Sequence, residues 1–213
     1  AGITTSDFLP KQDYDANTNL AVVGDLDGDG KNDVVVVNKT ASISIFRNTS
    51  TSGSINAGSF AAAVSLSTGS VPYSVAIGDM DGDGKPDLAV TNSGSNTVSV
   101  FRNTSTTGNI NTGSFTAKVD FPTGIQPGSV AIGDLDGDGK PDLAVANIFA
   151  GTVSVFHNTS TVGSLGTGSF AAKVDFATGL SPVSIALGDL DGDGKADMAI
   201  ANNNAATVSV LRN

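Results

Sequence analysis

The chain has 213 residues, no cysteine and a formal net charge of −10. The missing cysteines exclude a disulfide framework and a thiolate metal site, and the acidity argues against a nucleic acid partner because phosphate binding needs a basic surface. No apolar stretch approaches the roughly 20 residues of a membrane span, so no membrane insertion is expected.

The first apolar segment, residues 8–14 (FLPKQDY), aligns with residues 115–121 (FTAKVDF) farther along the chain. The later copy occupies the place of a fourth strand in its repeat unit. The chain ends at Leu211, Arg212 and Asn213, where a third strand ends. The sequence therefore begins with the kind of strand that its last unit lacks.

An aspartate-rich loop then occurs four times, starting at Gly24, Gly78, Gly133 and Gly188, a spacing of 54 or 55 residues. The chain has no Glu, and 16 of its 21 Asp residues lie in these loops. Four divalent ions would bring the net charge from −10 to about −2. The acidity thus indicates a metal requirement.

The same four apolar segments surround each loop, and the third unit shows them in order. Residues 129–132 enter the loop, residues 142–146 leave it, and residues 152–156 and 170–176 follow. Each is short, rich in Val, Ile and Phe, and bounded by turn residues, which is typical of strands. Four strands in about 55 residues predict one blade of a β-propeller.

We therefore expect an all-β fold, a single domain over residues 1–213. The predicted architecture is a β-propeller of four blades with four antiparallel strands each, in which the first strand closes the last blade. Such closure removes exposed sheet edges. The alternative is part of a larger propeller, completed by another chain or by missing sequence.

The loop chemistry favours calcium. Alternating carboxylates in a tight loop point at one centre, and Ca²⁺ takes six to eight oxygen ligands in a flexible shell, whereas Mg²⁺ demands strict octahedral geometry. We predict ligands at loop positions one, three, five and nine, and a backbone carbonyl from the Lys at position seven, whose side chain should point to solvent. The four predicted Ca²⁺ sites are loops 25–33, 79–87, 134–142 and 189–197, with ligands Asp25, Asp27, Asp29, Lys31 and Asp33; Asp79, Asp81, Asp83, Lys85 and Asp87; Asp134, Asp136, Asp138, Lys140 and Asp142; and Asp189, Asp191, Asp193, Lys195 and Asp197.

An EF-hand would need a Glu at position twelve, where these loops carry Val36, Val90, Val145 and Ile200. The pattern instead resembles the FG-GAP repeats of integrin alpha subunits and the related bacterial repeats labelled VCBS, as in SVAIGDLDGDGKPDLAVAN from Ser129. The resemblance implies a calcium-bearing propeller of bacterial type in a secreted or cell-surface protein, used for adhesion, for carbohydrate binding or as an accessory module.

Two other recurrent features have structural interpretations. Arg47, Arg102, His157 and Arg212 follow the third strand of each unit, and duplication explains this better than a ring of cations for an anionic ligand. The glycosylation sequons at Asn38, Asn48, Asn103 and Asn158 are interpreted as turn residues. The segments between third and fourth strands should lie on the side of the calcium loops.

The loops of the opposite side vary most between units, so we predict binding there. We expect a non-enzymatic, calcium-stabilised binding or adhesion module whose partner is an unknown protein or glycan. One alternative is a lectin, although the chain has no Trp and only two Tyr. Another is an accessory or catalytic domain of a secreted polysaccharide-active enzyme, and pairing of edge strands between copies would give a homo-oligomer.

Overall fold

The protein is described by a computed structural model at residues 11, 13 and 18–213. This part of the chain contains fifteen β-strands in four antiparallel sheets and no helix. The strands are β1 Thr18–Gly24, β2 Asp33–Asn38, β3 Ser42–Phe46, β4 Val64–Ser67, β5 Pro72–Gly78, β6 Asp87–Asn92, β7 Thr97–Phe101, β8 Val119–Pro122, β9 Pro127–Gly133, β10 Asp142–Asn147, β11 Thr152–Phe156, β12 Val174–Ala177, β13 Pro182–Gly188, β14 Asp197–Asn202 and β15 Thr207–Leu211.

Each sheet is a meander whose strands pair in chain order. Blade 1 contains β1–β4, blade 2 contains β5–β8, blade 3 contains β9–β12 and blade 4 contains β13–β15. The first two strands of every blade are in the same register, so that Gly133 lies opposite Asp142 as Gly24 lies opposite Asp33. The predicted all-β repeat fold is confirmed.

The core lies between the blades. Alternate residues of a strand point to opposite faces of the sheet, and here both faces of the middle strands are apolar. Val35 and Val37 of blade 1 pack against Leu88 and Val90 of blade 2 in one buried cluster. Burial on both sides explains why β6 and β10 are buried along their whole length and why both contain the apolar run Leu-Ala-Val.

The four sheets form an open row. β1 packs against β5, β5 against β9 and β9 against β13, whereas β13 and β1 form no comparable interface in the described part of the chain. Val98 and Val100 on β7 are buried, but the corresponding Val208 and Val210 on β15 are 64% and 57% exposed. The exposed apolar face at the end of this row agrees with the alternative prediction, in which the chain forms part of a larger propeller.

Two details differ from the sequence predictions or lie beyond them. The segment 8–14, predicted to close the last blade, lies outside the described residues except for Lys11 and Asp13. The fourth strand of blade 3 is shorter than predicted, because Phe170 makes only an isolated bridge with Asn158 and regular pairing starts at Val174.

The described residues include no helix with the length and apolar character that crossing a bilayer requires.

Candidate metal centres

Each aspartate loop joins the first two strands of a blade. In blade 2 it begins after Gly78, which pairs with Asp87, so the loop closes a hairpin of fixed register. Gly82 and Gly84 adopt φ values of 71° and 85°, a left-handed conformation that glycine reaches at little cost. The two glycines turn the chain back on itself and bring the aspartates together.

The first aspartate organises the loop from inside. Asp79 Oδ1 accepts hydrogen bonds from the backbone N–H groups of Gly82 and Asp83 at 2.8 and 3.2 Å. Its Oδ2 accepts one from Gly84 at 2.8 Å. The same pattern recurs around Asp25, so the loop backbone is wound around one carboxylate.

All four loops bring carboxylates together. In each loop three groups have an oxygen within 4.8 Å of the others, namely Asp25, Asp27 and Asp29; Asp79, Asp81 and Asp87; Asp134, Asp136 and Asp138; and Asp189, Asp191 and Asp197. Only oxygen donors are involved, which suits a hard divalent cation such as Ca²⁺. The structure thus brings together carboxylates from every predicted site.

The electrostatics of the loops also fit a cation. Burial, together with the nearby charges of Asp81 and Asp79, raises the pKa of Asp87 to about 7 against the opposing hydrogen bonds. Burial likewise raises the pKa values of Asp33 and Asp142 above their usual range. A divalent ion would offset both the desolvation and the mutual repulsion of these groups.

The ninth aspartate of each loop is also a brace. Asp33 Oδ2 accepts the backbone N–H of Leu26 at 3.0 Å and its Oδ1 accepts that of Asn48 at 2.8 Å. Asp87, Asp142 and Asp197 make the equivalent pairs. This carboxylate therefore joins the start of the loop to the end of the third strand, a role that the sequence analysis missed.

The recurrent arginines bind the loop aspartates. Arg102 Nε donates to Asp81 at 2.5 Å and its Nη2 donates to Asp83 at 2.6 Å. Arg47 and Arg212 pair with the corresponding aspartates of their own loops. Their nearly constant distance in sequence from the loops, 20 or 21 residues, was a signal for this pairing. Because these guanidinium groups are already paired, they do not form a free ring for an anionic ligand.

The predicted solvent orientation of the seventh-position lysine is wrong for two loops. Lys85 Nζ donates to the carbonyl of Ser105 at 2.8 Å, and Lys140 Nζ donates to that of Ser160 at 3.0 Å. Both amines lie between the aspartate loop and the segment after the third strand. There a backbone carbonyl takes the place of water as the hydrogen-bond acceptor. The role of the lysine carbonyls as metal ligands stays a prediction.

The first two aspartate loops are covered by the following blade, through the segment between its third and fourth strands, which lies on the predicted side of the aspartate loops. Asn103 Nδ2 and Ser105 Oγ of blade 2 donate to the carbonyl of Leu26 in blade 1 at 2.7 and 2.8 Å, and Gly108 N–H donates to that of Asp27. Asn158, Ser160 and Gly163 repeat these contacts on Met80 and Asp81. Asn103 and Asn158 are fully buried, which supports their interpretation as structural residues.

The opposite ends of the blades form a nearly uncharged surface, which we call the far face. Its only charged residue is the exposed Lys39, and it contains residues 38–42, 68–73, 92–96, 123–128, 147–151, 178–183 and 202–206. Backbone hydrogen bonds join each loop between blades to the hairpin of the next blade, as in Ser93 N–H to Val71 O and Phe149 N–H to Ile125 O. The variable loops are thus held in fixed pairs.

Several far-face residues present apolar side chains to solvent. Val71, Ile125, Phe149 and Leu180 are each more than half exposed. Val71 has a φ of 50° directly before Pro72, a strained combination for a β-branched residue. A neighbouring cavity of about 440 Å³ is lined by Leu20, Tyr73, Ser74, Gly128, Ser129, Val183 and Ser184.

Comparisons with known proteins agree with this architecture. The pattern of the family described as FG-GAP-like repeat matches residues 25–90, 79–145 and 134–200. No curated protein matches the chain. A crystal structure of BBS1N in complex with ARL6DN, soaked with mercury, is 15% identical with a TM-score of 0.55, over 92% of this chain and 54% of that chain. The same complex soaked with lead gives 13% identity and a TM-score of 0.57, over 92% and 58%.

The chain therefore spans less than two thirds of the length of those chains, and at this identity the likeness shows the propeller-type fold alone. The three family matches overlap and together extend from residue 25 to residue 200. Each begins at the first aspartate of one loop and ends on the strand after the next loop. The chain belongs to the FG-GAP-like repeat family.

Proposed function

We propose that this chain is a calcium-stabilised, non-enzymatic binding module of a secreted or cell-surface protein, with its binding surface on the far face. Family membership and the propeller-type fold support a binding module. All four aspartate loops are braced by backbone hydrogen bonds and the first two are covered by neighbouring blades, which gives them the character of structural ion sites rather than open ones. Their ions would hold the two inner strands of each blade together.

The observation that carries the proposal is the contrast between the two ends of the blades. One end contains the sixteen loop aspartates, whereas the far face has Lys39 as the one charged residue of its defined segments and exposes Val71, Ile125, Phe149 and Leu180. Apolar side chains exposed together on one surface are typical of interaction sites. By analogy, BBS1N, which has a similar fold, is seen in complex with ARL6DN. A protein partner with an apolar, weakly charged surface would suit this face.

A glycan partner is the second candidate, favoured by the cavity beside Tyr73. One wall is an aromatic ring, and the hydroxyl-bearing residues Ser74, Ser129 and Ser184 also line it. An aromatic face with nearby hydroxyls suits a neutral sugar. Catalysis has less support, because the acidic candidates Asp120 and Asp175 lie on different blades and pair with Lys118 and Lys173.

The test compares two surfaces of the same protein. The biotinylated chain is applied, in calcium, to arrays of extracellular proteins and of neutral glycans. The double variant Ile125→Ser/Phe149→Ser should lose binding by about tenfold or more, as expected when anchors worth about 1.4 kcal/mol or more are removed. Val162→Ser is the matched control, because Val162 is 79% exposed but lies beside Gly82 at an aspartate loop. Equal loss in both variants, or no loss in either, contradicts the assignment to the far face.

A further inference from the structure

The third aspartate loop differs from the other three in its basic partner. Where loops one, two and four are paired with Arg47, Arg102 and Arg212, the third faces His157, the only histidine in the chain. An arginine has no lone pair to offer a metal, whereas an imidazole nitrogen is among the commonest metal ligands. The substitution replaces a fixed cation by a potential ligand.

His157 is aimed at two carboxylates. Its Nδ1 atom lies 2.8 Å from Asp136 Oδ2 and 3.5 Å from Asp142 Oδ1. The nitrogen is shielded from solvent, and among the described residues it has no partner in hydrogen-bond geometry. One ligand atom from each of the three residues falls within 4.8 Å of the others. The imidazole thus points into the cluster without a hydrogen bond that would account for its position.

The two carboxylates are held in place from outside the cluster. Asp142 accepts the backbone N–H groups of Leu135 and Asn158 at 3.0 and 2.8 Å. Asp136 Oδ1 accepts the N–H of Asp138 at 3.1 Å on the loop side, which leaves Oδ2 facing His157. The two oxygens of Asp136 therefore serve different sides, and Oδ2 is the one that faces His157.

We propose that Asp136, Asp142 and His157 bind one divalent transition-metal ion, such as Zn²⁺, beside the third aspartate loop. A mixed set of one nitrogen and two carboxylate oxygens suits Zn²⁺ and related ions, whereas Ca²⁺ prefers oxygen ligands throughout. The site opens into a groove of about 470 Å³ between blades 3 and 4, lined in part by Val155, Phe176 and Met198. A coordination position left open by three protein ligands would face solvent or a ligand there.

The alternative is that His157 only replaces arginine as a partner of Asp136. This role needs only a proton on Nδ1 that is donated to the carboxylate, and it predicts no metal binding. The two interpretations therefore differ in a measurable way, namely in whether Zn²⁺ binds beside the third aspartate loop. The proposed function concerns calcium and the far face, whereas this proposal concerns Zn²⁺. The two are therefore tested by separate titrations, one with calcium and one with Zn²⁺.

The experiment uses untagged protein saturated with calcium, so that the aspartate loops do not compete for the added metal. Zn²⁺ is titrated by calorimetry, and the imidazole resonances are followed by NMR, where the single histidine needs no assignment. We expect about one equivalent of Zn²⁺ to bind per chain, with a shift of the imidazole signals at the same equivalence point. Calcium titration of the metal-free protein is run separately.

Two variants make the test specific. His157→Arg restores the residue used by the other loops, should fold normally, and should abolish the equivalent of Zn²⁺ while leaving calcium binding intact. Arg102→His creates the same ligand set beside Asp81 and Asp87, and should raise the stoichiometry to about two. The proposal is overturned if the wild type takes up no Zn²⁺ in calcium, or if His157→Arg, with unchanged thermal unfolding, binds Zn²⁺ as the wild type does.

Discussion

The side-chain amide of Asn158 donates a hydrogen bond to the backbone carbonyl of Met80 at 2.7 Å, although 78 residues separate them in sequence. The same amide donates to Pro141 O at 2.7 Å, within its own blade. Asn158 is fully buried. One side chain thus joins the loops of two consecutive blades, and Asn103 does the same between blades 1 and 2.

Replacing Asn158 by alanine should destabilise the protein by about 1–3 kcal/mol, because Pro141 O loses its side-chain donor and Met80 O keeps only the Ser160 hydroxyl. Asn48→Ala is the matched control: Asn48 is only partly buried, and its amide reaches Asn32 O at 2.9 Å within the same blade. We expect it to cost about 1 kcal/mol or less. Urea denaturation of both variants checks this, and equal costs would mean that the contact between blades contributes little.

Removal of calcium should lower the melting temperature strongly. An ion that binds only the folded state stabilises it by about 2.7 kcal/mol for each site at a concentration one hundred times its dissociation constant. Calorimetric unfolding in calcium, after chelation and after calcium is restored, measures the effect. Magnesium at the same concentration should restore less stability, since it tolerates this flexible shell poorly. An unchanged melting temperature after chelation contradicts structural calcium.

The calcium-free protein should become less stable as the pH rises from 5 to 8. Burial raises the pKa of Asp87 from 3.8 in the unfolded chain to about 7. The folded protein therefore holds this proton more tightly, so its contribution to stability is complete below pH 3.8 and is lost as the pH rises through 7. Asp33 and Asp142 shift in the same direction. The loss from Asp87 alone is about 3 kcal/mol over this interval.

The pH window is chosen to isolate the buried loop groups. The pKa values of Asp175 and Asp197 are lowered, so their contribution to stability declines only as the pH falls below about 3.8. Saturating calcium should flatten or reverse the trend between pH 5 and 8, because the ion binds ionised carboxylates. Chemical denaturation at several pH values, with chelator and with calcium, measures both slopes. A calcium-free protein that is more stable at pH 8 than at pH 5 contradicts the buried-acid explanation.

Gly124→Ala should destabilise the loop between blades 2 and 3. A Cβ at this position would lie 2.7 Å from Cγ of Asn147, whose Oδ1 also accepts the N–H of Gly124 at 3.0 Å. Because Asn147 is fully buried, it cannot move aside, and overpacking of this kind costs about 1–3 kcal/mol. Gly166→Ala is the control, since a Cβ there meets nothing within 4 Å. Thermal unfolding should separate the two variants clearly.

The sequence predicted much of the fold because the repeat displays it four times. Apolar runs such as Thr152–Phe156 became strands with their predicted bounds, and the aspartates at alternate positions converge as expected. The fourth strand was predicted too long, because Phe170 has the alternating pattern of a strand but is held by a single bridge. The alternation of apolar and polar residues shows which face of a strand each residue occupies. It does not show how many residues pair with the neighbouring strand.

The contacts between side chains and distant backbone could not be predicted in the same way. Asp33 looks in sequence like one more carboxylate, yet both its oxygens accept backbone N–H groups from Leu26 and Asn48. Arg102 shows only a constant distance from its loop, and its pairing with Asp81 depends on where the third strand ends. Which distant residues pair depends on how the strands and blades align in three dimensions. A single sequence does not show that alignment.

The cover that each blade places on the preceding aspartate loop also sets an order of events during synthesis. Met80 leaves the ribosome 78 residues before the Asn158 amide that caps its carbonyl. A nascent blade therefore exposes its loop until translation has produced the third strand of its successor. The cover of these loops is therefore completed one blade later than the strands that the loops join.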